Sequence, residues 1–599
     1  MSKFIAWLLS FAIVPAFRGT RNGKGMRSQF RTLLYAVLAL PALVQAAHAQ
    51  TPFQWLFDPR SALSIILEMP QATWSQIAGE QPVGGPCNFA QSPSIDRYSW
   101  HQTDATLTTE GGTNQQHTYP QIGIKKKSFC GSLDSTKPSL TLNLDKTNSA
   151  NKTPALAQLG TVHLSLENAK QSPDLFSACA AYYVFRTMNI PAPMCSFAAL
   201  YRRDGANAPV FLGLYVLTEA LKKDFFQRRP SIANAVNGSF YELEVPDDFT
   251  PATVNQLQVE WSATATQDFL FAINQVQNQS ATALEKILDL PAFITFWAGE
   301  IFLKNWDGYT NNRNNTYVFD GPQANQTITK TQFRFIPHGP DQVLAPSAKP
   351  GISTTAITAQ LALKDNGLRY QLIRTLATMG SQLQAMNIPG HIDSFVPLVV
   401  RLWRGTDPFF GADRNKTLEM AEHVRLQAAQ AIVDLRTVFG NGLMTPAANQ
   451  AFRLVGPHHV ACVTRLLTGN AEPGHAPCAN QPGQKWVFDA APVSMTTTGF
   501  AQPLSLYRVH NQGSSDCLRA TTQFTDGSQR FNLEMAPCST ASIRERFFLV
   551  QREGRSFELR AFAENACVHF SDGVSTSDGR PAIYLSPCDG NSKNLVVTE

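Results

Sequence analysis

Asn305-Trp306-Asp307-Gly308-Tyr309-Thr310-Asn311-Asn312, read with Ile336-Pro337-His338-Gly339-Pro340-Asp341, is the stretch on which the fold and chemistry of this chain turn. Asp307 stands five residues before Asn312, and a second carboxylate, Asp341, follows a strand-like run. Phosphoryl transfer needs little covalent chemistry from a protein. It needs a carboxylate beside the acceptor hydroxyl, oxygen ligands for a hard divalent cation, and cations on the phosphates. Asp307 suits the first role, and Asn312 and Asp341 suit the second. The context fits: Asp289 can cap a helix through Phe296, Trp297 and Phe302 to about Lys304, so Asp307 is expected in the loop beyond it. Asn315 to Phe319 and Gln332 to Ile336 are expected to form a hairpin.

Working outward, residues 50–447 mix both element types. Lys137 to Leu144 alternates as a strand, and Val210 to Thr218 is strongly strand-like. Pro173 to Met188 reads as a helix, with Ser172 as cap, stopping at Ile190-Pro191-Ala192-Pro193. Thr417 to Phe439 is a long amphipathic helix. The class is α+β.

The N-terminus reads as a leader over residues 1–49. Arg27 and Arg31 precede an apolar run from Leu33 to Val44, then Ala47-His48-Ala49, so cleavage is expected before Gln50. The earlier run Phe4 to Phe17 is short for a bilayer span and reads as upstream sequence or a second membrane-directing segment. The chain carries 50 Lys and Arg against 45 Asp and Glu, and six of the basic residues lie in the leader, which holds no acid. The remaining 44 against 45 give no basic surface for nucleic acid or anionic lipid. No later run is long enough for a transmembrane helix, so the product is expected to be soluble and secreted or periplasmic.

All ten cysteines follow the leader: Cys87, Cys130, Cys179, Cys195, Cys462, Cys478, Cys517, Cys538, Cys567 and Cys588. An even count behind a signal peptide predicts disulfides, and no C-x-x-C pair suggests zinc. The last six fall into a repeat. Phe452-Arg453-Leu454, Tyr507-Arg508-Val509 and Phe557-Glu558-Leu559 precede Cys462, Cys517 and Cys567. A second cysteine and then an apolar anchor (Trp486, Phe547, Leu595) follow in each unit. Such short-strand units cannot bury a core singly, but three around an axis can, with one bridge per unit. The boundary is expected in Asn441 to Asn449, separating 50–447 from 451–599.

The repeat resembles the ricin-B type β-trefoil lectin module, and Gln484-Lys485-Trp486 matches its Q-x-W signature once. The family's sugar-binding Asp usually follows the first cysteine; here those positions read Val463-Thr464, Leu518-Arg519 and Val568-His569. The resemblance therefore supports the fold better than the binding.

The body resembles the CotH kinase family over most of 115–345. The resemblance is carried in order by Gly123-Ile124-Lys125-Lys126-Lys127-Ser128, the Lys137 strand and the helix ending at Ile190-Pro191-Ala192-Pro193. Gly213-Leu214-Tyr215-Val216-Leu217-Thr218-Glu219, Lys223-Asp224-Phe225 and the two opening motifs complete it. It implies a divergent protein-kinase-like domain followed by an all-β trefoil domain. It also implies transfer of the ATP γ-phosphate to protein Ser or Thr with Mg2+ or Mn2+. Carried over, Asp307 is the catalytic Asp, Asn312 and Asp341 hold the metal, Lys127 and Lys137 are candidate phosphate lysines, and Glu219 pairs with a lysine or faces the nucleotide.

Two positions depart from the family. Many members end the last motif Trp-Asp-x-Asp, where this chain has His338-Gly339-Pro340-Asp341, one carboxylate fewer. The helix 173–188 often carries a Glu, and here reads Ser177-Ala178-Cys179. A Cys179–Cys195 bridge would pin that helix, and Cys87–Cys130 would tie the N-terminal region to the lysine-rich strand. His338 is expected to pack or hydrogen-bond beside the site rather than ligate metal. The competing readings are a non-catalytic surface or carbohydrate-binding protein on this scaffold, and ATP-dependent transfer of another group or to another acceptor.

Overall fold

The computed structural model describes residues 53–598, apart from 89–95, 112–113, 173, 324–326, 346–350, 448–450, 457–460, 466–471, 480, 494–499, 501–503, 513, 525–527, 553–555, 577–580 and 590–595. The leader and the expected anchor Leu595 lie outside the described residues.

Seven strands close into a barrel: β1 (Ser61–Glu68), β2 (His101–Gly111), β3 (Gln116–Lys126), β4 (Leu140–Asn143), β5 (His163–Glu167), β6 (Cys195–Arg203) and β7 (Val210–Glu219). Their order is β1-β2-β3-β4-β5-β7-β6, and β1 returns to β6 as the parallel pair. Period-2 patterning sets the register. Leu63, Ile65 and Leu67 of β1 are buried, and Ile65 faces Leu107 of β2 and Leu200 of β6. A four-stranded sheet follows, ordered β11-β10-β8-β9: β8 (Ser239–Leu243), β9 (Gln258–Ser262), β10 (Thr316–Asp320) and β11 (Arg334–Pro337). The expected hairpin is β10–β11, paired Tyr317 to Ile336.

Helices form the third layer. We label α1 (Ser177–Thr187), α2 (Leu290–Leu303), α3 (Tyr309–Asn312), α4 (Asn366–Met386), α5 (Ile388–Leu402) and α6 (Lys416–Phe439). α5 lies against β1, β6 and α1, while α4 and α6 pack on α2. One continuous apolar core joins these helices to the strands.

Two element boundaries differ from expectation. The Lys137 strand shortens to β4, because Pro138 lacks an N–H and Asp134 Oδ1 takes the N–H groups of Thr136 (2.7 Å) and Lys137 (2.9 Å). The helix placed at 173–188 starts at Ser177 with Phe176 at its N-cap position, and Asp174 rather than Ser172 takes the N–H groups at its start. Asp174 accepts the N–H of Phe176 (2.9 Å) and Ser177 (2.8 Å). Pro173 lies outside the described residues.

The C-terminal part is all-β. Three antiparallel hairpins recur: Ala461–Arg465 with Pro473–Pro477, Asp516–Gln523 with Phe531–Pro537, and Ala566–Ser575 with Pro581–Pro587. Each carries one bridge, Cys462–Cys478, Cys517–Cys538 and Cys567–Cys588. Cys87–Cys130 and Cys179–Cys195 complete the five expected disulfides. Trp486, Phe547, Leu518, Val568 and their neighbours share one core. Gln484 is structural: its amide donates to Thr464 Oγ1 and the Pro477 carbonyl, both at 3.0 Å.

This part is fixed to the helices. Leu443–Met444, upstream of residue 451, pairs with Phe547–Gln551. Tyr370 and Ile373 of α4 pack with Phe548, Val550 and Phe562. Two buried arginines, Arg552 and Arg560, reach the last carbonyls of α6. Arg552 donates to Arg436 O (2.8 Å) and Arg560 to Val438 O (2.6 Å), and Glu558 neutralises both. Cations at a helix C-terminus satisfy orphan carbonyls and oppose the helix dipole. Arg560→Ala is expected to cost about 1–3 kcal/mol by leaving Val438 O and half of Glu558 unpaired. Denaturant unfolding would measure it, with the helical and C-terminal parts separating into two transitions.

Candidate active site

α2 is apolar on nearly every side, and from Phe296 to its end it is fully buried. Asp289 caps it through Ala292 N at 3.2 Å, as its sequence predicted. Its one carboxylate, Glu300, is buried and builds the loop that follows. Glu300 accepts the N–H of Tyr309 (3.0 Å), the N–H of Thr310 (2.9 Å) and the Thr310 hydroxyl (2.6 Å). A Cβ on Gly308 would lie 2.0 Å from Glu300 Oε1, so only glycine fits beside that carboxylate. Lys304, in the left-handed region at φ 53°, ends the helix and pairs with Asp434 of α6 at 2.8 Å.

The loop presents Asp307 in a cradle of amides. Asp307 Oδ1 accepts from Asn312 Nδ2 (2.5 Å) and Asn314 Nδ2 (3.1 Å), and Oδ2 from Asn315 Nδ2 (2.9 Å). Beneath it, Tyr309 donates to Asp248 at 2.8 Å. The Thr355 N–H and Thr310 O, 3.0 Å apart, brace the short helix α3. The two opening motifs meet here through Asn315, whose carbonyl accepts the His338 N–H at 2.9 Å.

Gly339, at φ 50°, turns the chain after β11, and its N–H donates to Tyr182 Oη of α1 at 3.1 Å. Burial, then the charges of Glu167 and Asp307, push the Asp341 carboxyl up to about 7. Asp341 thus feels the charges of Asp307 and Glu167, but among the described residues the ligand atoms of these three carboxylates do not all come within 4.8 Å of one another. Their oxygens and the Asn312 carbonyl are of the type a hard divalent cation takes.

Lys127 follows β3 and donates to Ser165 Oγ at 2.8 Å and to Glu167, both on β5. Burial pushes the Glu167 carboxyl up and Lys127 more than offsets it, holding the group below its ordinary value. A cleft of about 580 Å³ opens between the barrel and the four-stranded sheet; Lys127 and Glu219 line it, whereas Asp307, Asn312 and Asp341 are not among its lining residues. Lys125, Lys127, Arg97, Trp100, Glu219, Glu242 and His338 are among its lining residues. His338 stands edge-on to Tyr317, with centroids 5.2 Å apart, and burial beside Lys127 lowers its pKa to about 4, so it is neutral.

Two expected site residues sit elsewhere or act otherwise. Lys137 does not reach the cleft. It is buried against Asp407 (2.9 and 3.2 Å) under the rings of Tyr215, Phe409 and Phe410, because the shortened strand turns it into the barrel core. Glu219 lines the cleft but pairs with no lysine. Arg228 (2.7 Å) and Arg229 (2.6 Å) hold it, with the Met194 N–H at 3.0 Å.

Glu167 and Glu300 were not anticipated from the sequence. Their signals were present: His163-Leu164-Ser165-Leu166-Glu167 alternates and ends in a carboxylate, and Glu300 is the lone charge in an apolar helix.

Burial also pushes the Glu300 carboxyl up to about 7 from an ordinary 4.5. A folded-state pKa above the unfolded one gives stability that is complete below pH 4.5 and lost as pH rises through 7. Stability is expected to fall by up to about 1.4 kcal/mol per pH unit across that window. Glu300→Gln should flatten the slope in urea titrations taken from pH 4.5 to 8.

Residues 127–404 match the family model described as CotH kinase protein. No match was found among curated proteins. Solved structures similar to part of the chain include the designed threefold-symmetric protein ThreeFoil, at 15% identity over 25% of this chain and 96% of that one, TM-score 0.19. Another is a Macrolepiota procera ricin B-like lectin in complex with lactose, at 13% identity over 26% of this chain and 99% of that one, TM-score 0.19. A third is a Polyporus squamosus lectin bound to a human-type influenza-binding epitope, at 10% identity over 26% of this chain and 50% of that one, TM-score 0.20.

Proposed function

We propose that this chain, with its CotH kinase match over residues 127–404, is a secreted or periplasmic kinase that transfers the ATP γ-phosphate to protein Ser or Thr. The carrying observation is the Asp307 carboxylate in its Asn312–Asn314–Asn315 cradle, near Asp341 and the Lys127–Glu167 pair at the cleft. Asp307 orients the acceptor hydroxyl and takes its proton. Asn312 and Asp341 hold Mg2+ or Mn2+, which neutralises phosphate charge when bound. Lys127, aimed by Glu167 from a strand, addresses the ATP phosphates; this supplies the Lys–Glu pair that the helix carrying Ser177 lacks. Glu219, on the cleft wall, is held by Arg228 and Arg229.

The fold is read as a kinase-like domain with a C-terminal β-trefoil that directs the enzyme to glycans. Three bridged hairpins around one core support that reading. Five disulfides suit an oxidising compartment, and among the described residues no helix is long and apolar enough to cross a membrane. One observation favours a second reading, a non-catalytic carbohydrate-binding protein: the last motif carries Gly339 where many relatives have another carboxylate. Transfer from γ-labelled ATP by the chain from Gln50, with Asp307→Ala and Asp341→Ala beside it, separates the two. No label and no nucleotide-dependent shift in melting temperature would leave the second reading.

A further inference from the structure

We propose that Arg97 is a second phosphate-binding cation of the nucleotide cleft, held in reserve by Glu244 from the opposite wall; the proposal rests on the kinase reading above and adds a residue that lies outside the matched span 127–404. Arg97, Lys127, Phe129 and Glu244 all line the cleft. Arg97 precedes the barrel strand β2, and Glu244 follows β8 of the four-stranded sheet, so their ion pair joins the two walls.

The Arg97 side is firmly placed. The Val83 N–H donates to the Arg97 carbonyl at 2.9 Å, and Cys87–Cys130 ties the chain upstream of it to the residues just after β3. The guanidinium lies 3.8 Å from the ring centroid of Phe129, whose face attracts the cation and fixes its plane. Lys126 and Ser128 are buried whereas Lys127 and Phe129 are not, so the alternation of β3 runs on and sets Lys127 and Phe129 on one side. Residues two apart along an extended segment are separated by about 6.6 Å. Arg97, over Phe129, therefore stands beside Lys127, and one polyphosphate chain can meet both cations.

Glu244 fills the guanidinium fork. Its carboxylate accepts from Arg97 Nη2 at 2.7 Å and from Nη1 at 3.4 Å, the two-point arrangement by which a guanidinium also holds phosphate. The two side chains are 20% and 23% exposed. An ion pair so open to water is weak, and a phosphate with more charge can displace the carboxylate. The exchange adjoins the catalytic loop. The Val245 N–H, next to Glu244, donates to Asn314 Oδ1 at 3.2 Å, and Nδ2 of the same amide donates to Asp307 at 3.1 Å. Asn314 thus links the Arg97–Glu244 fork to an Asp307 that does not itself line the cleft.

The test is calorimetric titration of the chain from Gln50 with ATP and Mg2+. Wild type is compared with Arg97→Ala, Arg97→Lys, Glu244→Asp and the double variant Arg97→Ala/Glu244→Asp. Glu244→Asp keeps the charge and withdraws the carboxylate by one methylene. The expected results are a loss of affinity of about tenfold or more in Arg97→Ala and a smaller loss in Arg97→Lys, which keeps the charge without the fork. Glu244→Asp should gain affinity by about two- to fivefold. The double variant should match Arg97→Ala, because Glu244 acts only through the guanidinium. Melting temperatures without nucleotide should be similar throughout. Equal affinity in wild type and Arg97→Ala would remove Arg97 from the site and leave the kinase reading standing. No gain in Glu244→Asp, or the same gain without Arg97, would overturn the role given to Glu244. Absence of ATP binding by wild type and Glu244→Asp alike would overturn the kinase reading, and this assignment with it.

Discussion

Asp307→Ala is expected to lower phosphoryl transfer by about 10²- to 10⁴-fold while leaving the protein folded. The side chain is only partly buried, and its partners are three amides near solvent, so each freed amide can turn to water. Stability should therefore drop by no more than about 1–2 kcal/mol. The chemistry has no such substitute. Asp307 is the carboxylate that the loop is built to present: Glu300 pins the N–H groups of Tyr309 and Thr310, and the Asn315 carbonyl ties the loop to the Asp341 turn. Asp341→Ala should act differently, raising the metal concentration needed for half-maximal transfer. Equal transfer by wild type and Asp307→Ala would remove Asp307 from the reaction.

Asp407→Ala is expected to be the most destabilising single change discussed here, at about 3–5 kcal/mol. Both Asp407 and Lys137 have side chains at 0% exposure. Asp407 also accepts the N–H groups of Leu214 (2.7 Å), Phe409 (2.8 Å) and Phe410 (3.0 Å). Its loss strands a buried ammonium and three backbone donors at once. Burial already lowers the Lys137 pKa to about 8, with Asp407 holding it from falling further. Lys137→Met should cost less, because the carboxylate keeps three donors and a methionine fills the same aromatic cage. The same variant tests its role: with Lys137 outside the cleft, the KM for ATP should match wild type. Denaturant midpoints rank the two variants, and a raised KM in Lys137→Met would return that lysine to the nucleotide.

Legibility followed the range of each interaction. The β10–β11 hairpin, the Asp289 cap, α6 and the bridged repeats could be read locally, because periodicity, capping residues and cysteine spacing act within a few tens of residues. The pairing of Lys127 with Glu167 could not, since it depends on which strands the barrel brings together. Lys137 shows the converse: its strand pattern was real, but Pro138 and Asp134 ended the strand early, and the side chain entered the core.

The sequence by itself determined the repeat of the C-terminal part, the disulfide partners and the order of the polar motifs, because these reside in spacing along one chain. Only the tertiary structure decided which of the two candidate lysines, Lys127 or Lys137, lines the cleft, which carboxylate supports it, and what holds Asp307. Those are choices of partner between distant segments, and burial makes each one costly to leave unmade.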